Sequence, residues 1–96
     1  MLSHEEEAKK QRVLTRLEHS LKLKHRDFKT IRAYRATAAR YYDFTLTCPR
    51  DWSSEKKAES YLTQRALRDH VSASTQNGEL AGLNALYASR ALPTAA

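Results

Sequence analysis

Residues 71–92 spell Val71-Ser-Ala-Ser-Thr-Gln-Asn-Gly-Glu-Leu-Ala-Gly-Leu-Asn-Ala-Leu-Tyr-Ala-Ser-Arg-Ala-Leu92. The large apolar side chains of this segment recur at steps of three and four, at Leu80, Leu83, Leu86 and Tyr87. This spacing predicts a helix with one apolar face, and Ser72 or Ser74 is suited to cap its start. The neighbouring face carries small residues that would let another backbone approach closely: Ala81, Gly82, Ala85 and Ala88. We therefore expect this helix to lie at the centre of a helical bundle.

Three further amphipathic segments precede it, and each begins at a residue suited to cap a helix. Ser3 with Glu6 forms a capping box, Asp27 precedes the second segment, and Ser53 or Ser54 precedes the third. The predicted helices cover residues 4–23, 28–45, 54–68 and 73–91. Their inward side chains are expected to be Ala8, Val13, Leu14, Leu17 and Leu21, then Phe28, Ile31, Tyr34, Ala38, Tyr41 and Tyr42, then Ala58, Tyr61, Leu62 and Ala66. Pro49 breaks the chain between the second and third helices, and Trp52 is expected to close the end of the core.

Length and composition favour one all-α domain over residues 1–96, folded as a compact four-helix orthogonal bundle. Only two glycines and two prolines supply turn signals, and no run of alternating β-branched residues predicts a strand. No stretch of about 18 apolar residues predicts a membrane span. A single cysteine, Cys48, fits a reducing cytoplasm. The four histidines lack the spacing of metal ligands, so we expect neither a metal site nor a cofactor.

Positive charge is concentrated in the middle of the chain, which has a net charge of +6. Between residues 21 and 50 the acidic residues are Asp27 and Asp43 alone, against Lys22, Lys24, Arg26, Lys29, Arg32, Arg35, Arg40 and Arg50. At about 100° per residue, Lys29, Arg32 and Arg40 fall on the polar side of the second helix. A basic face of this kind favours a polyanionic partner, most often nucleic acid, although a merely solvated surface is the alternative.

Two blocks of the sequence carry a likeness to a known family. The first is Leu17-Glu-His-Ser-Leu-Lys-Leu-Lys-His-Arg-Asp-Phe-Lys-Thr-Ile-Arg-Ala-Tyr34, and the second runs from Val71 to Tyr87. Together they resemble the N-terminal, SAM-like core-binding domain of tyrosine recombinases, and most of all the integron integrase branch. The matching positions are Thr30 and Tyr34, the run from Val71 to Asn77, and Leu80, Leu83, Asn84 and Tyr87. Asp27 stands where the family has serine, which is a conservative exchange between capping residues. The similarity covers residues 13–92.

This resemblance implies a four-helix clamp that grips one side of duplex DNA at a recombination core site. It places the DNA-facing positions at Thr30, Arg32 and Ala36 on the second helix and at Ser74, Thr75, Asn77 and Gly78 on the fourth. Lys29 and Arg40 are added to these DNA-facing positions because they are basic and lie on the polar side of the second helix. Gly78 stands where the family usually has glutamine, a side chain that can reach a base edge, so we expect phosphate contacts to dominate over base readout.

The resemblance also implies that the chain does not cut DNA by itself. The catalytic domain of such recombinases would follow a linker that starts at residues 93–96. The five tyrosines have core-like spacing and are not candidates for the nucleophile: Tyr34, Tyr41, Tyr42, Tyr61 and Tyr87. The expected partners are double-stranded DNA, the chain's own catalytic domain and further integrase protomers, in the bacterial nucleoid and without a membrane.

Two other functions remain open from the sequence. One is a small basic regulator that binds DNA through a helix-turn-helix motif; the connection between the third and fourth helices lacks the usual glycine, and the fourth helix lacks a basic recognition face. The other is a protein-interaction bundle that uses the alanine and glycine flank of the fourth helix.

Overall fold

The computed structural model describes residues 3–90, and within this range the chain forms four α-helices and no strand. The helices are α1 (His4–Leu23), α2 (Phe28–Thr45), α3 (Ser54–Leu67) and α4 (Ala73–Arg90). The prediction of an all-α, four-helix fold is therefore confirmed. The predicted last residue of the fourth helix, Ala91, and the predicted linker at residues 93–96 lie outside the described residues.

A side-chain oxygen caps the start of each helix by accepting a backbone N–H from its first turn. The pairs are Ser3 with Glu6 (3.1 Å), Asp27 with Thr30 (2.7 Å), Ser53 with Lys56 (3.1 Å) and Ser72 with Thr75 (3.1 Å). The structure thus selects Ser53 over Ser54, and Ser72 over Ser74, where the sequence had left both open.

Left-handed histidines follow α1 and α3 as the chain leaves these helices. His25 has φ 58° and His70 has φ 53°, in a region that glycine adopts more readily than other residues. After α1 the N–H of Arg26 donates to the carbonyl of Leu21 at 3.0 Å, and the N–H of His25 donates to the carbonyl of Lys22 at 3.0 Å. This is the hydrogen-bond pattern of a Schellman motif, which usually places glycine where His25 stands.

The core lies between α2 and α4, and each of these two helices packs against all three others. Helices α1 and α3 flank this pair without contacting each other through their described residues. The buried apolar side chains are Leu14, Leu17, Leu21, Ile31, Ala38, Tyr41, Tyr61, Leu83 and Leu86. The prediction that the fourth helix is central is confirmed, but it shares that position with α2.

Gly82 lies in a tight contact between α4 and α2. A Cβ atom added to Gly82 would lie 3.3 Å from both Cβ and Cγ2 of Thr37 and 3.6 Å from Cα of Tyr34. Of the small-residue flank predicted on α4, Gly82 therefore packs against α2, while Ala81 and Ala85 are half-buried and Ala88 is exposed.

Several side chains expected in the core do not pack against the core cluster, among them the half-buried Tyr42 and Ala66. Phe28 is the first residue of α2 and is 69% exposed, because the part of α2 that packs on the other helices begins a turn later, at Ile31. Leu80 is exposed because the buried side of α4 follows Glu79, Gly82, Leu83 and Leu86, about 100° away from it. Trp52 is half-buried but does not pack against the core cluster; instead Nζ of Lys56 lies 4.7 Å from its ring centroid.

Ala8 was also expected on the inward stripe of the first helix, and it is exposed. The buried positions of α1 begin only at Leu14, in its third turn. The first turns of α1 instead make polar contacts with α2: Nζ of Lys10 lies 3.0 Å from Oδ1 of Asp43, and the hydroxyl of Tyr42 donates to Glu6 at 3.2 Å.

Candidate nucleic-acid interface

The polar side of α2 faces solvent along its whole length. Its exposed residues include four of the predicted DNA-contacting positions, Lys29, Arg32, Ala36 and Arg40, while Thr30 is half-buried. Ile31, Ala38 and Tyr41 are buried on the opposite side of the same helix. The separation of basic and apolar faces predicted from the sequence is therefore present in the structure.

Two of these cations, Lys29 and Arg32, differ from the others in their surroundings. Within residues 3–90, neither Lys29 nor Arg32 forms an ion pair with a carboxylate, whereas Lys10 on α1 is paired with Asp43. The guanidinium of Arg32 lies over the ring of Phe28, with Cζ 4.7 Å from the ring centroid. An exposed cation that no carboxylate neutralises leaves its charge available to an anionic ligand.

Arg40 differs from the other cations of α2, because it is paired with α4. Its Nη2 lies 3.6 Å from Oε2 of Glu79 and 3.5 Å from Oγ1 of Thr37, although the side chain is still 48% exposed. Its charge is thus partly balanced within the protein, and it is a weaker candidate for DNA contact than the sequence suggested.

Glu79 is the centre of a buried polar network that joins three helices. Its side chain is 3% exposed and accepts hydrogen bonds from the hydroxyl of Tyr61 (2.6 Å) and from Nε of Arg65 (2.8 Å), both on α3. Burial, followed by the hydrogen bond to Glu79, raises the pKa of the Tyr61 hydroxyl. The hydrogen bond to Glu79 also raises the pKa of the Arg65 guanidinium. A buried carboxylate is tolerated only when it is paired and hydrogen-bonded in this way.

Sequence reasoning did not identify Glu79, although a signal was present. Glu79 lies three residues before Gly82 and four before Leu83, and therefore on the buried face of α4. A lone carboxylate on that face requires a cationic or hydrogen-bonding partner from another helix. The partner could not be named from the sequence, because α3 offers several basic residues and only packing selects Arg65.

The predicted residues at the start of α4 are all exposed: Ser74, Thr75, Asn77 and Gly78. The hydroxyl of Ser72 donates to Oγ1 of Thr75 at 3.0 Å, which leaves the O–H of Thr75 free to donate elsewhere. A Cβ atom at Gly78 would meet nothing within 4 Å, so this position opens directly to solvent. Hydroxyl and backbone N–H groups at a helix start are suited to bind phosphate.

The two predicted groups of residues lie on helices that pack together. Arg40 reaches the second turn of α4 through Glu79, and Gly82 lies against Thr37 and Tyr34 of α2. Among the described residues, no side-chain hydrogen bond or ion pair joins Lys29, Thr30 or Arg32 to the first turn of α4. The middle of α2 is therefore in contact with α4, whereas the predicted DNA-contacting residues at the starts of the two helices are not bonded to each other within residues 3–90.

Four of the five tyrosines lie in or beside the core, as their spacing predicted, whereas Tyr42 is half-buried outside the core cluster and its hydroxyl donates to Glu6. The rings of Tyr41 and Tyr61 pack edge to face with centroids 5.4 Å apart, and the hydroxyls of Tyr41 and Tyr87 are hydrogen-bonded at 2.5 Å. Burial, followed by this hydrogen bond, raises the pKa of the Tyr41 hydroxyl. Within residues 3–90 the tyrosines therefore form no exposed platform on which bases could stack.

Two other kinds of site are absent from the part of the chain that the structure describes. No three histidine, cysteine, aspartate or glutamate side chains lie together as metal ligands would. None of the described helices combines the length and the apolar character that crossing a bilayer requires.

Comparison with known proteins identifies a family. Residues 13–91, most of the chain, match the family described as phage integrase, N-terminal SAM-like domain. The comparisons with curated proteins and with solved structures gave no match. The matched range includes α2, α3, α4 and the buried part of α1. The chain therefore belongs to the family of phage integrase N-terminal SAM-like domains.

Proposed function

We propose that the chain is the DNA-binding domain of a tyrosine recombinase and clamps duplex DNA at a recombination core site. The observation that carries this proposal is the exposed, unneutralised pair Lys29 and Arg32 on α2 of a chain that belongs to an integrase domain family. The proposed recombinase is of the integron type, because the run from Val71 to Asn77 resembles that branch. The bacterial nucleoid is the corresponding location.

Phosphate contacts supply most of the binding energy in this proposal. Lys29 and Arg32 bind backbone phosphates from α2, while the hydroxyls of Ser74 and Thr75 bind them from the start of α4. Thr30 and Asn77 add uncharged polar contacts, and Arg40, which is paired with Glu79, adds a weaker charged contact. Ala36 presents only a methyl group and Gly78 no side chain, so few groups are left to read bases. We therefore expect weak, largely sequence-independent binding, with a dissociation constant on the order of 10⁻⁴–10⁻⁶ M.

The chain has no catalytic role of its own in this proposal. Tyr41 and Tyr61 are buried in the core, and Tyr87 is hydrogen-bonded to Tyr41, so these hydroxyls are not placed to attack a phosphodiester. Cleavage would require a separate catalytic domain. Its partners would be that domain and further protomers bound to the same DNA.

Packing weighs against the protein-interaction alternative. That alternative needs the small-residue flank of α4 to be free, yet Gly82 is buried against Thr37 of α2. A helix-turn-helix regulator is disfavoured as well, because Arg90 is the only basic residue of α4. Neither alternative is therefore favoured over a DNA-binding domain of a recombinase.

Fluorescence anisotropy with a labelled random duplex at several salt concentrations tests the proposal. Affinity must fall steeply between about 50 and 200 mM salt, since each neutralised phosphate contributes about −0.9 to the slope of log K against log salt. Arg32→Ala should reduce that slope by about 0.9. The matched control is Arg12→Ala, which removes an exposed arginine of α1 that forms no ion pair within residues 3–90. Salt-independent binding, or equal loss in both variants, would refute the proposal.

A further inference from the structure

An exposed aromatic side chain lies at the corner between α1 and α2. Phe28 is 69% exposed at the first position of α2, and Leu23, the last residue of α1, is 76% exposed. A single exposed apolar residue needs no explanation. Phe28 is notable for its surroundings, because the residues around it in the chain are mostly cationic.

The basic side chains at this corner are not paired with carboxylates of the described residues. Lys24, Arg26, Lys29 and Arg32 form no ion pair within residues 3–90. The carboxylate of Asp27, the one acid at this corner of the chain, accepts the backbone N–H of Thr30 at 2.7 Å as a helix cap. The corner therefore combines an apolar ring with positive charge, which suits a polyanion that also has apolar surface.

The guanidinium of Arg32 lies against the ring of Phe28. Its Cζ lies 4.7 Å from the centroid of Phe28, close enough for a cation–π interaction. The ring thus stands one helical turn before an exposed guanidinium on the same side of α2. A phosphate bound by Arg32 would place the neighbouring sugar or base edge within reach of Phe28.

We propose that Phe28 is an apolar DNA contact that packs against the sugars and base edges of the groove while Arg32 binds the adjoining phosphate. This inference rests on the proposed DNA-binding function and adds a residue whose contribution is not electrostatic. Phenylalanine makes such contacts with thymine methyl groups in grooves. An anionic membrane has the same charge, but insertion there needs an apolar helix face, and that face of α2 is buried in the core.

Salt dependence separates this contact from the basic ones. Removal of an arginine–phosphate contact lowers the salt slope, because fewer counterions are released on binding. Removal of an apolar contact lowers the affinity at every salt concentration and leaves the slope unchanged. Phe28→Ala should therefore weaken duplex binding by about five- to tenfold with the slope of the parent protein.

The matched control is Leu67→Ala, which removes an equally exposed side chain, 73% exposed, from the end of α3 outside the basic corner. It should bind as the parent does. Circular dichroism should show Phe28→Ala and Leu67→Ala folded, since both side chains are exposed. A second measurement uses Trp52, the single tryptophan. In the double variant W52F/F28W the only tryptophan lies at the corner, and its emission should change on addition of duplex.

The outcomes distinguish this inference from the function on which it rests. If the parent protein fails to bind duplex, both the proposed DNA-binding function and the proposed role of Phe28 are refuted. If the parent binds but Phe28→Ala binds equally well and the emission of W52F/F28W does not change with duplex, only this inference is overturned. The last measurement is binding of the parent protein and Phe28→Ala to phosphatidylserine vesicles. If Phe28→Ala loses vesicle binding but keeps DNA binding, the corner contacts a membrane and the inference is overturned.

Discussion

Nη2 of Arg40 lies 3.6 Å from Oε2 of Glu79, so a half-exposed cation of α2 faces a carboxylate buried in α4. Glu79 also accepts from Arg65 and Tyr61 of α3. The contact explains why α2, α3 and α4 meet at one point, and it removes part of the positive charge from the predicted DNA-facing side of α2.

The first prediction concerns the double role of Arg40. Arg40→Ala should lower the free energy of unfolding by about 0.5–1 kcal/mol, because the pair is half-exposed and Arg65 still balances Glu79. Its effect on the salt slope of DNA binding should be smaller than that of Arg32→Ala. Urea unfolding and anisotropy on both variants check this. A larger loss of slope in Arg40→Ala would show that DNA displaces Glu79 from its guanidinium.

The second prediction concerns Glu79 itself. Glu79→Ala should destabilise the fold by about 3–5 kcal/mol, because it leaves Arg65 and Tyr61 without their acceptor. Glu79→Gln keeps an acceptor oxygen and should cost less, about 1–2 kcal/mol. Glu59→Gln, an exposed position on α3, is the control and should change stability little. Equal stability of Glu79→Ala and the control would mean that the network contributes nothing.

Helix positions could be predicted from sequence because they depend on local chemistry. Ser3 and Asp27 cap the helices that they were expected to cap, and the predicted end of the third helix differs from the observed one by a single residue. The buried face of a helix depends instead on which helices pack against it. Phe28 and Leu80 were assigned inward from periodicity alone, which cannot show where the contact with a neighbouring helix begins.

In the candidate interface, too, the exposure of single residues could be predicted from sequence but contacts between helices could not. The exposure of Lys29 and Arg32 follows from their angular position on α2, and the structure confirms it. Their role in DNA binding stays a prediction. The pairing of Arg40 with Glu79 could not be foreseen, because it joins residues 39 positions apart through the crossing of two helices.

The third prediction uses the left-handed turn after α1. His25 has φ 58°, and glycine adopts this conformation without the steric cost that a Cβ atom imposes. His25→Gly should therefore raise the free energy of unfolding by about 0.5–1 kcal/mol. His19→Gly, at an exposed helical position of α1, should lower it by roughly 0.5 kcal/mol. Thermal unfolding of both variants tests the pair; destabilisation by His25→Gly would show that the imidazole makes a contact worth more than the strain.

The fourth prediction concerns acid unfolding. The backbone N–H of Thr30, and then its side chain, hold the pKa of Asp27 below its usual range. The folded state therefore favours the charged form of Asp27. The resulting stabilisation is present above the pKa of Asp27 in the unfolded chain, about 3.9, and is lost as the pH falls through the lower pKa of the folded state. Asp27→Asn keeps a capping side chain but does not titrate. Its stability should therefore decline less steeply than that of the parent protein as the pH falls through this window, as measured by unfolding between about pH 2 and 6. Identical pH profiles of the two proteins would contradict a role for the Asp27 charge.

The fifth prediction compares the two glycines of α4, which have opposite surroundings. Alanine is favoured over glycine inside a helix by about 1 kcal/mol. At Gly78 a Cβ atom meets nothing within 4 Å, so Gly78→Ala should raise the free energy of unfolding by about 1 kcal/mol. At Gly82 the Cβ atom would press on Cβ and Cγ2 of Thr37 at 3.3 Å, and Thr37 is buried and β-branched, so it has little freedom to move away. Overpacking of this kind costs about 1–3 kcal/mol, and in urea unfolding Gly82→Ala should be less stable than Gly78→Ala by that margin.

The open space at Gly78 also allows a test of base readout at the same position. Gly78→Gln should fold at least as well as the parent protein, because the side chain extends into solvent and glutamine is a good helix former. If α4 faces the major groove, glutamine can pair with adenine through two hydrogen bonds, so this variant should discriminate among duplexes where the parent protein does not. Anisotropy on a panel of duplexes measures the change, with Gly78→Ala as the control for helix stabilisation. Equal affinities of Gly78→Gln for every duplex would place this turn of α4 away from the bases.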